Sequence, residues 1–415
     1  MSPGRVFGAL ALGWVLACGA TEPPSLGPAP ARPVGAPSPI GAATIDAGAP
    51  RAATAVAPVA ELGGATPQQT AERMTAAALA ADREGYLRFV ATDDAHFATE
   101  QRNWAKDLER HRPAQLVLEL GAVLVDGDVA TAPMTLAWRM AGGLPRSVQW
   151  PARFVRRATP AGARWLYSGE AWATTEADGV VVRHGAGREA TAKAVVSVLP
   201  GIRRRVHAEM GFAEGDALAA RAQEVKLYAS MAHLQASIDL SYTASLTGWN
   251  EPGEAIKVLV DGKGVAGDLA ASLAHEYAHV ATVELGAAAT DMPGWALEGV
   301  ADFVSVETAT DSPAAAAASR AALDAKLRAR GRAGTLVALD RLADFHGEAQ
   351  QHLTDVYLEG YGVVAFVTKR HGRAARRAWI EELARGESLA TATRVALGMS
   401  SEELERAWRA SLGAR

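Results

Sequence analysis

The sequence predicts an α+β fold: an N-terminal helix-plus-antiparallel-sheet region, then a mostly helical region with a small sheet. Three observations carry that expectation. Apolar runs crowd between Leu116 and Arg183, punctuated by the turn signals Asp126-Gly127-Asp128, Gly142-Gly143 and Pro160-Ala161-Gly162. Beyond Glu189 the pattern is helical, and only Val225 to Tyr228 and Ala255 to Val260 read as strands. A chain of 415 residues, 49% hydrophobic and 21% charged, has material for two or three cored units and is not wholly disordered. Its net charge of -4 excludes a global basic field for nucleic acid. The single cysteine, Cys18, rules out an internal disulfide framework or a cysteine-rich zinc cluster. No internal repeat is found.

Residues 1–18 combine one positive charge, Arg5, with an apolar run from Val6 to Ala17. The run is too short to span a bilayer but fits the core of a secretory signal. It ends in Val15-Leu16-Ala17-Cys18, which resembles the lipobox of bacterial lipoproteins. That resemblance implies cleavage before Cys18, lipidation of its thiol, and a protein exported to the bacterial cell envelope on a membrane anchor. Without that processing the chain would be secreted. Residues 19–66 are rich in Ala, Pro, Gly and Ser, and ten of the 20 prolines lie between Pro23 and Pro67. That composition predicts a disordered tether. No later run is long and apolar enough to predict a transmembrane helix.

The first folded region is expected over 67–185. A helical pattern runs from Thr66 to Val90, with Thr66-Pro67 as cap and first-turn proline, and a second covers Ala95 to Arg110. Strands follow at Leu116 to Leu120, Val129 to Met140, Val148 to Val155, Trp165 to Ala173 and Val180 to Arg183. This order, with Trp104, Trp138, Trp150, Trp165 and Trp172 among the elements, resembles a nuclear transport factor 2-like cone. The resemblance implies a form that often encloses a pocket. The tryptophans themselves are expected in the core, because aromatic side chains dominate core burial.

The second region, 186–415, carries the strongest chemical signal: His275-Glu276-Tyr277-Ala278-His279, inside a helical pattern from about Ala266 to Leu285. Residues four apart share a helix face, so both imidazoles can address one ion, and Glu276 lies on the adjoining face. Catalytic zinc takes three protein ligands and leaves one position open. Asp291-Met292-Pro293-Gly294-Trp295 starts a new helix that brings Glu298 as a third ligand. Asp302 follows four residues later, placed to accept the outer N–H of a ligating histidine. Thr282 and Leu285 stand where a Gly-x-x-His continuation would, so the spacing favours a glutamate ligand.

His-Glu-x-x-His followed by Pro-Gly-Trp-Ala-Leu-Glu-Gly-Val-Ala-Asp resembles the gluzincin metallopeptidases, in particular the bacterial peptidase MA-like families. The resemblance covers about Ala190 to the C-terminus. It takes in an edge strand near Ala255 to Val260, the segment Tyr357-Leu358-Glu359-Gly360-Tyr361, and the closing helices through Trp408. It implies a zincin-like domain in which His275, His279 and Glu298 bind one Zn2+ and Asp302 supports a histidine. Glu276 would be the general base, and a peptide or protein the substrate. It further implies a transition-state tyrosine, Tyr357 first and Tyr361 second. The Gly-x-Met-Glu-Asn motif of the related aminopeptidases is absent, which leaves endopeptidase action open.

The basic runs Arg203-Arg204-Arg205 and Lys369 to Arg377 are expected as solvated helix faces. His352 and His371 flank the Tyr357 segment and are candidates for lining a cleft. Two readings of function follow: a membrane-tethered zinc metallopeptidase, or a lipoprotein ligand-binding or scaffold protein with a non-catalytic zinc site. Intact Glu276 favours the first, since a structural site needs no base. The oligomeric state is not encoded in any of these motifs.

Overall fold

A computed structural model describes residues 66–159, 162–243, 245–260, 266–345 and 347–414; the signal segment, Cys18 and the proline-rich stretch lie outside them. The chain begins with α1 (Pro67–Ala80), α2 (Arg83–Leu87) and α3 (Ala95–Arg110). Thr66 caps α1 by accepting the Gln69 N–H at 3.2 Å, with Pro67 in the first turn. The single helix expected from Thr66 to Val90 is interrupted. Ala81 adopts a left-handed conformation, and Asp82 then caps α2 through the Gly85 N–H.

Five strands form the first sheet: β1 (Gln115–Leu120), β2 (Leu124–Asp126), β3 (Val129–Arg139), β4 (Arg146–Thr159) and β5 (Gly162–Glu170). All pair antiparallel, in the order β1-β3-β4-β5 with β2 on β3. Along β3 buried and half-exposed residues alternate, and Ala130, Met134, Leu136 and Trp138 face the core. Helices α1 to α3 cover that face. Trp104 from α3 is buried with them, and its Nε1 donates to Ala236 O at 3.1 Å.

The next two strands, β6 (Ala173–Ala177) and β7 (Val180–His184), depart from the sequence expectation. They leave the first sheet and open a second, in the order β6-β7-β8-β10-β9. Between them and the rest of that sheet run α4 (Glu189–Met210) and α5 (Ala217–Ala220). Then come β8 (Gln223–Tyr228), α6 (Met231–Ile238), β9 (Gly248–Trp249) and β10 (Ile256–Leu259). β7, β8 and β10 are parallel to one another, and every residue of β8 is buried, as a central parallel strand requires. The segment near Ala255 to Val260 is therefore not an edge strand. β10 lies inside the sheet, and the short β9 takes the edge.

The remaining helices are α7 (Ala266–Val283), α8 (Gly294–Thr308), α9 (Pro313–Ala333), α10 (Leu353–Ala384), α11 (Leu389–Leu397) and α12 (Ser401–Ser411). Helices α8 and α10 touch backbone to backbone at two glycines. A Cβ on Gly360 would fall 2.1 Å from Trp295 O, and one on Gly299 would fall 2.3 Å from the Gly360 carbonyl carbon. Only glycine permits that approach. Further along, α10 breaks at Gly372, whose φ of 84° lies outside the helical region. Trp295, Trp379 and Trp408 fill the core around these helices.

The basic runs expected on solvated faces are only partly so. Arg203 is buried: its guanidinium donates to the carbonyls of Gly179, Leu218, Ala219 and Arg221 and to Tyr277 Oη. Arg376 is buried on Glu209, which also takes Arg373. Each run turns one guanidinium inward, where carbonyls or a carboxylate satisfy it.

Candidate metal centre

Helix α7 places His275 and His279 one turn apart, and α8 lies against it with Glu298 facing them. Among the described residues, ligand atoms of His275, His279 and Glu298 all fall within 4.8 Å of one another. His275 Nε2 is 3.1 Å from His279 Nε2 and 3.2 Å from Glu298 Oε2, and His279 Nε2 is 3.5 Å from the same oxygen. All three side chains are buried. On its far side His275 Nδ1 sits 2.9 Å from Asp302 Oδ1. Donation of Nδ1–H to Asp302 fixes the tautomer and leaves Nε2 as a lone pair directed at the other two ligand atoms.

This arrangement fits a divalent cation on its own chemistry. Two imidazole nitrogens and a carboxylate oxygen converge in a buried space, and Glu298 Oε1 is buried there without a hydrogen-bond partner among the described residues. Converging acceptors need a shared cation or protons between them, and an N,N,O donor set suits zinc. Burial would raise the Glu298 pKa, but His279 and His275 outweigh it and hold the carboxyl down to about 2. For His275, burial opposes the cation, and the Asp302 and Glu298 carboxylates overcome it to raise the pKa.

Glu276 takes no part in the triad's hydrogen bonds. Both its carboxylate oxygens are buried with no hydrogen-bond partner among the described residues, and burial pushes its pKa up to about 8. It lies against the backbone of edge strand β9: a Cβ on Gly248 would come 2.3 Å from Glu276 Oε1. The Tyr277 side chain, between the two motif histidines, turns into the core. There its hydroxyl meets His207 Nε2 at 2.7 Å and Arg203 Nε at 3.3 Å.

The two candidate tyrosines part company. Tyr357 is buried with its ring 6.1 Å from that of His275. Tyr361 packs its ring 6.1 Å from Phe303 and lines a groove with Trp408. His352 is held by Asp355 and Arg341, and neither it nor His371 lines the space beside the triad.

Sequence reasoning missed a third phenol. Burial and then the carboxylates of Glu298, Asp239 and Glu276 push the Tyr242 pKa up, so its hydroxyl shares their field, and its ring packs 5.5 Å from Trp249. It sits in an irregular stretch between α6 and β9, where no motif announces it. Also unforeseen is the segment Asn250-Glu251-Pro252. With His279 and Glu298 it encloses a space of only about 20 Å³. Helix α3 holds this segment and the turn after it. Asn103 Nδ2 donates to Glu251 Oε2 at 3.1 Å and Glu254 Oε1 at 2.7 Å, and His96 Nδ1 is 3.0 Å from Gly253 O.

Comparison with known proteins adds no family. No family model matches the chain, and no curated protein matches it. A solved structure of a function unknown protein from Mycobacterium tuberculosis is similar over 25% of this chain and 69% of its own, at 19% identity and a TM-score of 0.19.

Proposed function

We propose that the chain is a zinc metallopeptidase of the gluzincin type, exported and tethered to a membrane through Cys18. One observation carries the reading: the convergence of His275 Nε2, His279 Nε2 and Glu298 Oε2, with Asp302 behind His275. Those three residues would hold the ion. A zinc ion supplies Lewis acidity there, polarising a carbonyl and acidifying water.

The chain's own groups supply the rest. Glu276, whose two carboxylate oxygens accept no hydrogen bond among the described residues, accepts a proton from the attacking water and returns it to the leaving amine. Tyr357, beside His275, donates its hydroxyl proton in a hydrogen bond to the carbonyl oxygen as charge develops on it. Asp302 keeps His275 in the tautomer and orientation that ligation needs. Edge strand β9 runs past Glu276 and offers backbone to an extended substrate.

Metal analysis joined to peptide-library profiling tests the reading. The purified chain is expected to contain one zinc and to cleave peptides until a chelator removes it. Cleavage indifferent to chelation, or a chain with no affinity for zinc, would overturn the proposal.

A further inference from the structure

The metal centre is covered. His275, Glu276, Glu298 and Tyr357 are each no more than 1% exposed, and His279 is 7% exposed. Among the described residues, the space beside His279 and Glu298 is about 20 Å³, room for about one water molecule and not for a peptide. Asn250, Glu251 and Pro252 line that space together with Val283, Thr290 and Leu297. Of these, only Asn250 to Pro252 lie outside the helices and the short connection between them, directly after edge strand β9.

The covering segment is a turn with a shape of its own. The Glu254 N–H donates to Glu251 O at 3.0 Å, Pro252 takes the second position, and Gly253 takes the third with a φ of 82°. Proline followed by a positive-φ glycine is the pattern of a type II turn. Such a turn holds its form whether docked or not, so it can move as a unit. Its place is set by α3. Asn103 Nδ2 donates to Glu251 Oε2 at 3.1 Å and to Glu254 Oε1 at 2.7 Å, and His96 Nδ1 donates to Gly253 O at 3.0 Å. His96 and Asn103 are seven residues apart, on one face of the helix. The same helix belongs to the N-terminal region, whose sheet it covers with Trp104.

We propose that this turn is a lid over the metal centre and that α3 latches it shut, so that the N-terminal region restrains the peptidase. The inference rests on the peptidase reading and concerns the regulation of that same site. Lifting the turn uncovers His279 and Glu298 beside β9, the edge offered to an extended substrate. A lid of this kind keeps bulk water from the site until substrate enters. The latch is polar and local. Loss of the Asn103 amide leaves two carboxyl groups without their donor, and they regain one from water when the turn leaves α3.

Histidine modification by diethyl pyrocarbonate, followed by mass spectrometry on the metal-free full chain, tests the latch without needing zinc or cleavage. In the wild type, His279 is expected to react far more slowly than His111, whose side chain is 57% exposed. Asn103→Leu is expected to speed the reaction of His279 at least about tenfold and to leave His111 unchanged. His96→Ala removes the other latch bond at a half-exposed position and is expected to act in the same direction, so it decides the matter should Asn103→Leu fail to fold. Wild-type His279 as reactive as His111, or no acceleration of His279 in either folded variant, overturns the proposal. Absence of zinc binding or of cleavage would count against the peptidase reading instead, because the labelling depends on neither.

Discussion

His275 Nδ1 and Asp302 Oδ1 stand 2.9 Å apart, joining the helix that carries both motif histidines to the one that carries Glu298. The contact orients a ring and also ties α7 to α8. Replacing Asp302 by Asn keeps the size and weakens the acceptor. Zinc affinity is expected to fall about 10–100-fold, read by competition with a chromogenic chelator. Unaltered affinity would mean that His275 is held by packing alone.

Tyr357 and Tyr361 make a second, graded test. Tyr357→Phe is expected to lower kcat by about 10²-fold with zinc content unchanged, the loss typical of one oxyanion donor. Tyr361→Phe, against Phe303 and Trp408, is expected to leave kcat alone. Tyr242→Phe belongs in the same experiment, because its hydroxyl shares the field of Glu298 and Glu276. A large loss there and none at Tyr357 would move the donor role to Tyr242.

Gly360→Ala probes how the site is held. The new methyl would meet Trp295 O on α8, the helix that bears Glu298 and Asp302. Overpacking of this kind costs roughly 1–3 kcal/mol, and more where backbone must move. A lower denaturant midpoint together with weaker zinc binding is expected. A change within about 0.5 kcal/mol would show that the two helices can part freely.

Glu359, one residue earlier, gives a pH dependence. Burial pushes its carboxyl from 4.5 up to about 7, against the opposing pull of the Val337 N–H and Arg330. The folded state holds this proton more tightly than the unfolded one. The stability it contributes is therefore present below pH 4.5 and lost as pH rises through about 7. Glu359→Gln, which still offers Val337 an acceptor, is expected to gain on the wild type by on the order of 2 kcal/mol across that window. Urea midpoints that run parallel for the two proteins would contradict this.

Much of the candidate site was legible because it is local. His275 and His279 are one helical turn apart, and Glu298 and Asp302 are one turn apart on the next helix, so spacing alone groups each pair. The α+β class followed from strand and helix texture. Partnership between distant segments was not legible. β7 has the texture of a strand wherever it pairs, and nothing in Val180 to His184 says that β8 is its neighbour and β5 is not. Arg203 and Arg376 read as surface charge because their acceptors, the Gly179 carbonyl and Glu209, are remote in sequence. The Asn250-Glu251-Pro252 segment is likewise placed by long-range contacts from α3, and Tyr242 carries no motif at all.

The central claim is that Glu276 is a base beside a metal triad, and Glu276→Gln measures it most directly. Zinc stoichiometry and peptide cleavage are to be read on the same preparation. Zinc bound as in the wild type, with cleavage reduced by at least about 10²-fold, is the predicted result. Zinc retained with cleavage unchanged would contradict it.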